Sequence, residues 1–261
     1  MRRLHLIELE DMNWLPRPIR DGITDFLEFA VVKSRLYAGV APRLMRAISQ
    51  SGETDIVDLC SGGGGAWLDL VDQLPSHANR VLLTDLYPNI EAFSKIRNAT
   101  NGRIQFSDTS VDATEVRDDL NGFRTLFSSF HHLRPELARE VLADAVENNA
   151  PIAVLESTQR HILLILYMLV TPILVLLATP FMTPFRWSRL FFTYIIPAIP
   201  LIVAFDGVVS CLRTYTVEEL EALVATLPAN DFDWSIGVHR LRGLPVGVTY
   251  LIGLPASSGD Q

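Results

Sequence analysis

The sequence predicts an α/β fold. A mostly parallel sheet is covered by helices, closed by a C-terminal antiparallel hairpin and interrupted by an apolar helical hairpin. Three observations carry this. The apolar run Ile56, Val57, Leu59 breaks into four successive glycines, Gly62 to Gly65. Short apolar strands then alternate with helical stretches as far as Glu156. Finally, two strand-like runs, residues 232–241 and 246–254, flank the turn Arg242-Gly243-Leu244-Pro245, a hairpin signal.

The elements follow in chain order. Residues 18–48 read as helix, because Ile19, Ile23, Phe26, Leu27, Ala30 and Val31 fall on one stripe at helical spacing. Trp14, with Pro16 and Pro18, makes a stiff entry to it. Residues 55–66, DIVDLCSGGGGA, read as strand, glycine turn and helix start. Such a turn brings backbone N–H groups against a nucleotide-like ligand, and glycine lets the backbone approach closely. The alternative is a glycine-rich turn with no ligand. Residues 80–85, RVLLTD, form a second strand ending in an acid, and 88–98 a helix for which Asp85 could be the N-cap. A third strand spans 103–106. A fourth, within 125–132, runs into His131 and His132. Residues 135–148 are a helix with proline at its start, and Ile152–Glu156 a fifth, buried strand.

The ligand class follows from the glycines. The dinucleotide pattern G-x-G-x-x-G wants a small third residue. Here that place falls on Trp67 or Leu68, which marks down NAD and FAD. No Gly-Lys-Ser/Thr follows, so a P-loop fits worse. The looser pattern acid-x-G-x-G-x-G is met by Asp58, Cys60, Gly62 and Gly64, with Cys60 in place of the first glycine. In this the chain resembles the class I S-adenosylmethionine-dependent methyltransferases, whose Rossmann-like sheet also ends in an antiparallel hairpin. The resemblance covers about residues 54–156 and 216–254. It implies S-adenosyl-L-methionine as cofactor, held by Asp58, Cys60, Gly62, Gly63, Gly64, Asp85, Leu86, Asp112, Ala113 and Ser128. Asp85 would take the ribose hydroxyls and the Asp112-Ala113 pair the adenine. Residues 1–50 become an N-terminal helical cap. Residues 51–261 become the methyltransferase domain, interrupted by the insertion at 161–205.

A methyl sulfonium needs no metal, and much of the barrier reduction comes from holding three atoms in line. With only Cys60 and Cys211, neither a cysteine metal site nor a disulfide framework is expected, and a reducing cytosol suits them. A hydroxyl or activated carbon acceptor also needs a base, which histidine supplies near pH 7. His131 and His132 sit at the carboxyl edge of the fourth strand, where an open α/β sheet binds ligands. One of them is the candidate base. The alternative is catalysis by proximity alone. Trp14, Glu156, Asp206 and Arg213 are candidates for the acceptor side, and Glu10 and Asp11 could line the same pocket.

The insertion is the second unusual feature. From Ile162 to Pro180 the chain carries no charge, and neither does 190–205, while Arg186, Trp187 and Arg189 lie between them. A bilayer span needs about 20 apolar residues. Both ends must return to one domain. The expectation is therefore a hairpin dipping into the cytoplasmic leaflet, with the arginines at an interfacial tip. A lid over the substrate pocket and an oligomer contact are the alternatives. The N-terminus has no apolar run of the kind a signal peptide carries. A net charge of −8 without a Lys/Arg tract disfavours nucleic acid. The expected function is methyl transfer to a small hydrophobic or lipid-like acceptor, with membrane lipid as partner. The rivals are a protein methyltransferase, a non-catalytic adenosylmethionine-binding module docked to a membrane, and an NAD-dependent reductase.

Overall fold

The computed structural model describes residues 1–229 and 231–256; the end of the expected domain, 257–261, lies outside them. Five parallel strands lead: β1 (Asp55–Asp58), β2 (Arg80–Leu83), β3 (Ile104–Phe106), β4 (Phe123–Phe127) and β5 (Ile152–Glu156). β6 (Phe232–Arg240) and β7 (Gly247–Pro255) form the antiparallel ending. The order across the sheet is β3-β2-β1-β4-β5-β7-β6, and its parallel part is what the alternation of strands and helices implies. β5 is buried at all five positions, the mark of a strand covered on both faces.

Helices α1 (Arg17–Ser34), α2 (Ala41–Ser51), α3 (Ala66–Leu70), α4 (Ile90–Ala99) and α5 (Pro135–Glu147) precede the insertion. α6 (Ile162–Ala178), α7 (Trp187–Leu190) and α8 (Ala198–Arg213) build it, and α9 (Val217–Val224) follows. One face of the sheet carries Leu44, Ile48, Trp67, Leu70, Phe93 and Ile96 from α2, α3 and α4. The other carries Val141, Leu142, Leu220 and Leu223 from α5 and α9. α9 starts with a full capping box between Thr216 and Glu219, which satisfies two orphan N–H groups.

Four expectations need correction. The helix over 18–48 is two helices, because the chain turns left-handed at Arg35, with φ of 50°. Pro42 then lies in the first turn of α2, where it fits best. The N-cap of α4 is Asn89, whose side chain accepts from the N–H of Ala92 at 3.2 Å; Asp85 is occupied elsewhere. The fourth strand stops at Phe127, Ser128 takes φ of 45°, and the two histidines sit on a 3-10 turn, Phe130–His132.

The fourth correction concerns the insertion. α6 and α8 pack antiparallel, but the connection between them does not project away from the domain. Arg189 is 1% exposed. It pairs with Asp25 of α1 and donates to the carbonyls of Met182 and Pro184 at 2.6 and 2.8 Å. Arg186 pairs with Glu91 at 2.6 Å and Asp25 at 3.3 Å. A desolvated guanidinium needs a carboxylate and full hydrogen bonding, so these arginines clamp the tip to α1 and α4 instead of reaching for headgroups. α8 crosses α1 closely at Gly22, where a Cβ would lie 2.4 Å from Ile199 Cδ1. Val175, Met182, Ile199 and Val203 share a core with Leu15, Ile19, Ile23 and Phe26. The hairpin is thus laid along α1, and α8 runs past residue 205 to Arg213.

Residues Ile162–Phe181 are long and apolar enough to cross a membrane, with mean hydropathy 2.7 and only 17% of the residues buried. The return, Trp187–Ile195 and Ala198–Arg213, is bent by 77°, at Pro197, which lacks an N–H to continue a helix. Leu166, Leu169, Ile173, Leu177, Phe181 and Trp187 all face outward at 50% exposure or more.

Candidate functional site

The glycine turn follows β1. Asp58 closes the strand and is buried, with its Oδ1 accepting from Thr125 Oγ1 at 2.6 Å. Burial pushes its carboxyl up to about 6. It lies beneath the turn and ties β1 to β4. Cys60, Gly62 and Gly64 all have positive φ, of 52°, 54° and 68°. Cys60 thus adopts a glycine-like conformation, with burial pushing its thiol up to about 12. A Cβ on Gly64 would lie 2.7 Å from Leu83 Cδ1, and one on Gly63 would lie 3.2 Å from Thr24 Cγ2. A Cβ on Gly62 would meet nothing within 4 Å, so the exposed side of the turn is an open cradle of backbone.

Asp85, just past β2, reaches across to that cradle. Its Oδ2 accepts from Gly62 N–H and its Oδ1 from Tyr87 N–H, both at 2.9 Å. Leu86 beside it is exposed. Asp112 is exposed and accepts from the N–H and hydroxyl of Thr114 at 2.9 and 2.7 Å, while Ala113 is buried. Ser128 is hydrogen-bonded to Tyr37 Oη at 2.8 Å and Ser157 Oγ at 2.6 Å. An open glycine cradle, with a carboxylate at its rim, fits an adenosine-bearing ligand such as adenosylmethionine.

The acceptor-side residues converge more tightly than their spacing suggests. Glu156 ends β5 with 2% exposure. Its Oε1 accepts from the N–H groups of Phe130 and His131 at 2.8 and 3.3 Å, and its Oε2 lies 2.6 Å from His131 Nδ1. Glu156 therefore fixes the His131 ring from both backbone and side chain, leaving Nε2 on the far side. That Nε2 is buried without a hydrogen-bond partner. His132 is half-buried, with its ring centre 4.4 Å from that of His131. Its Nδ1 lies 3.3 Å from Asp11 Oδ2. Arg213 is buried and sits beside both Glu8 and Asp11, with Nη1–oxygen distances of 3.3 and 3.4 Å. Burial pushes Asp11 up, but its hydrogen bond with His132 and the charges of His132 and Arg213 leave it below the ordinary carboxylate value.

An N-terminal strap closes this group. Asp206 accepts from the N–H groups of Leu9 and Glu10 at 2.7 and 3.0 Å; it therefore holds the strap down. Arg3 donates to the carbonyls of Arg213 and Leu133 at 2.5 and 2.8 Å. Glu8, brought in this way, is 4% exposed, and burial raises its pKa. Sequence reading missed Glu8: beside Glu10 and Asp11 nothing marks it out until the strap is docked. Trp14 is 68% exposed.

No family model matches the chain, and no curated protein matches it. Solved structures do. The plantazolicin methyltransferase BpumL, in complex with SAH, superposes with a TM-score of 0.55 at 14% identity over 92% of both chains. The O-methyltransferase NcsB1 from neocarzinostatin biosynthesis, in complex with SAM and a naphthoic acid, gives 0.53 at 14% identity over 92% of this chain. Human N-acetylserotonin methyltransferase gives 0.52 at 13% over 92%. The chain spans 58% and 56% of the last two, and 57% of the pyocyanin biosynthetic protein PhzM. These likenesses establish the fold: it is that of the class I S-adenosylmethionine-dependent methyltransferases.

Proposed function

We propose that the chain is an S-adenosylmethionine-dependent methyltransferase for a small hydrophobic acceptor, working at a membrane surface. The observation that carries the catalytic part is the buried His131–Glu156 pair, at the carboxyl edge of β4 and β5 beside the glycine cradle. The cofactor supplies an electrophilic methyl group. The chain's residues do the rest. The cradle and Asp85 position the cofactor. Glu156 orients the His131 ring so that Nε2 takes the acceptor's proton, and Glu8 and Arg213 set the charge around it. A base placed this way contributes roughly 10²–10⁴-fold. Incubation with labelled adenosylmethionine and a lipid extract, followed by mass analysis, tests the function. A methylated product is expected, with turnover lost in His131→Asn and cofactor affinity kept. Absence of cofactor binding by the wild type refutes the reading.

The membrane part rests on the uncovered apolar face of α6, since patches this large are rare on soluble monomers. The clamped tip supports seating flat in one leaflet, because a crossing would carry Asp25 and α1 with it. A net charge of −8 without a Lys/Arg tract disfavours attraction to anionic headgroups, so hydrophobic attachment that resists salt is expected. A lipid-like acceptor would then reach the site from the same leaflet. Membrane fractionation after a high-salt wash tests this. The wild type should stay with the membrane, and Leu166→Ser/Leu169→Ser/Ile173→Ser should leave it. A wild-type chain that is soluble and monodisperse without detergent defeats the membrane reading.

A further inference from the structure

The group around Glu8 has a feature that proton transfer does not need. Both imidazoles turn Nδ1 towards a carboxylate and Nε2 towards Glu8. His131 Nδ1 lies 2.6 Å from Glu156, and His132 Nδ1 lies 3.3 Å from Asp11. Their Nε2 atoms lie 3.7 Å from Glu8 Oε1 and 3.5 Å from Glu8 Oε2. These last separations are too long for hydrogen bonds. They are close to the edge of a coordination tetrahedron, about 3.4 Å for ligands about 2.0–2.1 Å from a zinc-like ion. Ligand atoms of Glu8, His131 and His132 all lie within 4.8 Å of one another. A carboxylate on the remaining ring nitrogen is the usual support of a metal-bound histidine. The His131 side chain is 3% exposed, and its Nε2, without a hydrogen-bond partner, is aimed into this space.

We propose that Glu8, His131 and His132 form a binding site for one divalent transition-metal ion of the zinc type. Three protein ligands leave a fourth position open, the arrangement of a catalytic site. Ser210 and Arg213 engage Glu8 Oε1, the oxygen nearer His131, at 3.0 and 3.3 Å, so Oε2, the oxygen nearer His132, is the freer of the two to serve as ligand atom. The competing arrangement is an ion-pair cluster in which Arg213 alone neutralises Glu8. The site stands independently of the methyl-transfer reading; its use there rests on that reading. An acceptor hydroxyl entering the open position would bind as its anion, with its proton passing to solvent. His131 then holds the ion, whereas in the metal-free protein it holds the proton.

The test uses the full chain, stripped with a chelator and titrated with Co²⁺ alone, read by equilibrium dialysis and by the visible spectrum of the bound ion. One equivalent with a tetrahedral spectrum is expected. Glu8→Gln and His132→Gln, each checked for folding by circular dichroism, should weaken binding at least about 10-fold, as loss of a supporting partner already does. Substoichiometric binding by the wild type overturns the proposal, and so does one equivalent retained by both variants. Adenosylmethionine affinity is measured in parallel on the metal-free protein. Cobalt binding without cofactor binding would sink the methyltransferase reading and leave the site standing. The reverse result would do the opposite.

Discussion

Gly62 and Gly64 share a turn and a left-handed backbone, yet alanine at each should have different consequences. Either substitution adds a left-handed penalty of about 1–2 kcal/mol, offset by about 0.5–1 kcal/mol from a stiffer unfolded chain. At Gly62 nothing else is added, because the new methyl meets no atom within 4 Å. At Gly64 the methyl would lie 2.7 Å from Leu83 Cδ1 and 2.9 Å from Ile96 Cδ1. Both side chains are fully buried and cannot swing aside, so overpacking adds about 1–3 kcal/mol. Urea unfolding should then show Gly64→Ala less stable than wild type by about 2–4 kcal/mol and Gly62→Ala by about 1 kcal/mol or less. Adenosylmethionine calorimetry should reverse the ranking. The Gly62 methyl occupies the open cradle and should weaken binding roughly 10–100-fold, a displacement worth about 1.4 kcal/mol per tenfold. Gly64→Ala, assayed while folded, should bind more nearly like wild type. If Gly62→Ala binds unchanged, the cradle is not the cofactor site; if Gly64→Ala is the more stable of the two, the packing argument is wrong.

Three further outcomes are expected. Cys60→Gly should stabilise the chain by about 0.5–1 kcal/mol, raising the melting temperature by about 1–3 °C, because glycine relieves the left-handed cysteine; a lower melting temperature would show that the thiol's packing matters more. Glu10 is raised by burial from 4.5 to about 7, so the folded state holds its proton more tightly than the unfolded chain. Stability should therefore be highest below pH 4.5 as far as this group is concerned and fall as pH rises to about 7, by at most about 3 kcal/mol. Glu10→Gln should remove that slope, and an unchanged pH profile of unfolding would exclude the assignment. Asp25→Asn leaves the buried Arg189 guanidinium without its carboxylate. It should destabilise by about 3–5 kcal/mol and open the segment after α6 to proteolysis; a loss within about 0.5 kcal/mol, the scale of an ordinary surface change, would show that the clamp does not hold the hairpin.

What the sequence by itself determined is what local physics controls. Apolar runs of four or five residues ending in Asp58, near Asp85 and at Glu156 define the parallel strands. The glycines after β1 mark the cradle, and the Arg-Gly-Leu-Pro turn marks the final hairpin. Each of these signals lies within one stretch of chain and depends on periodicity or on a backbone conformation that few residues adopt. Tertiary structure decided the rest. Asp85 was legible as an acid at a strand end, but its turn to Gly62, leaving the cap to Asn89, depends on how two loops meet. The arginines between the apolar runs read as an interfacial tip. They became a clamp, buried at Arg189 and half-buried at Arg186, because α1 places Asp25 against both. Glu8 joins His131 and Glu156 across more than 120 residues of sequence, held by Asp206 on the strap's backbone. A carboxylate beside Glu10 and Asp11 has no pattern to reveal such a meeting, because its role is set by burial and by the partners that the fold brings to it.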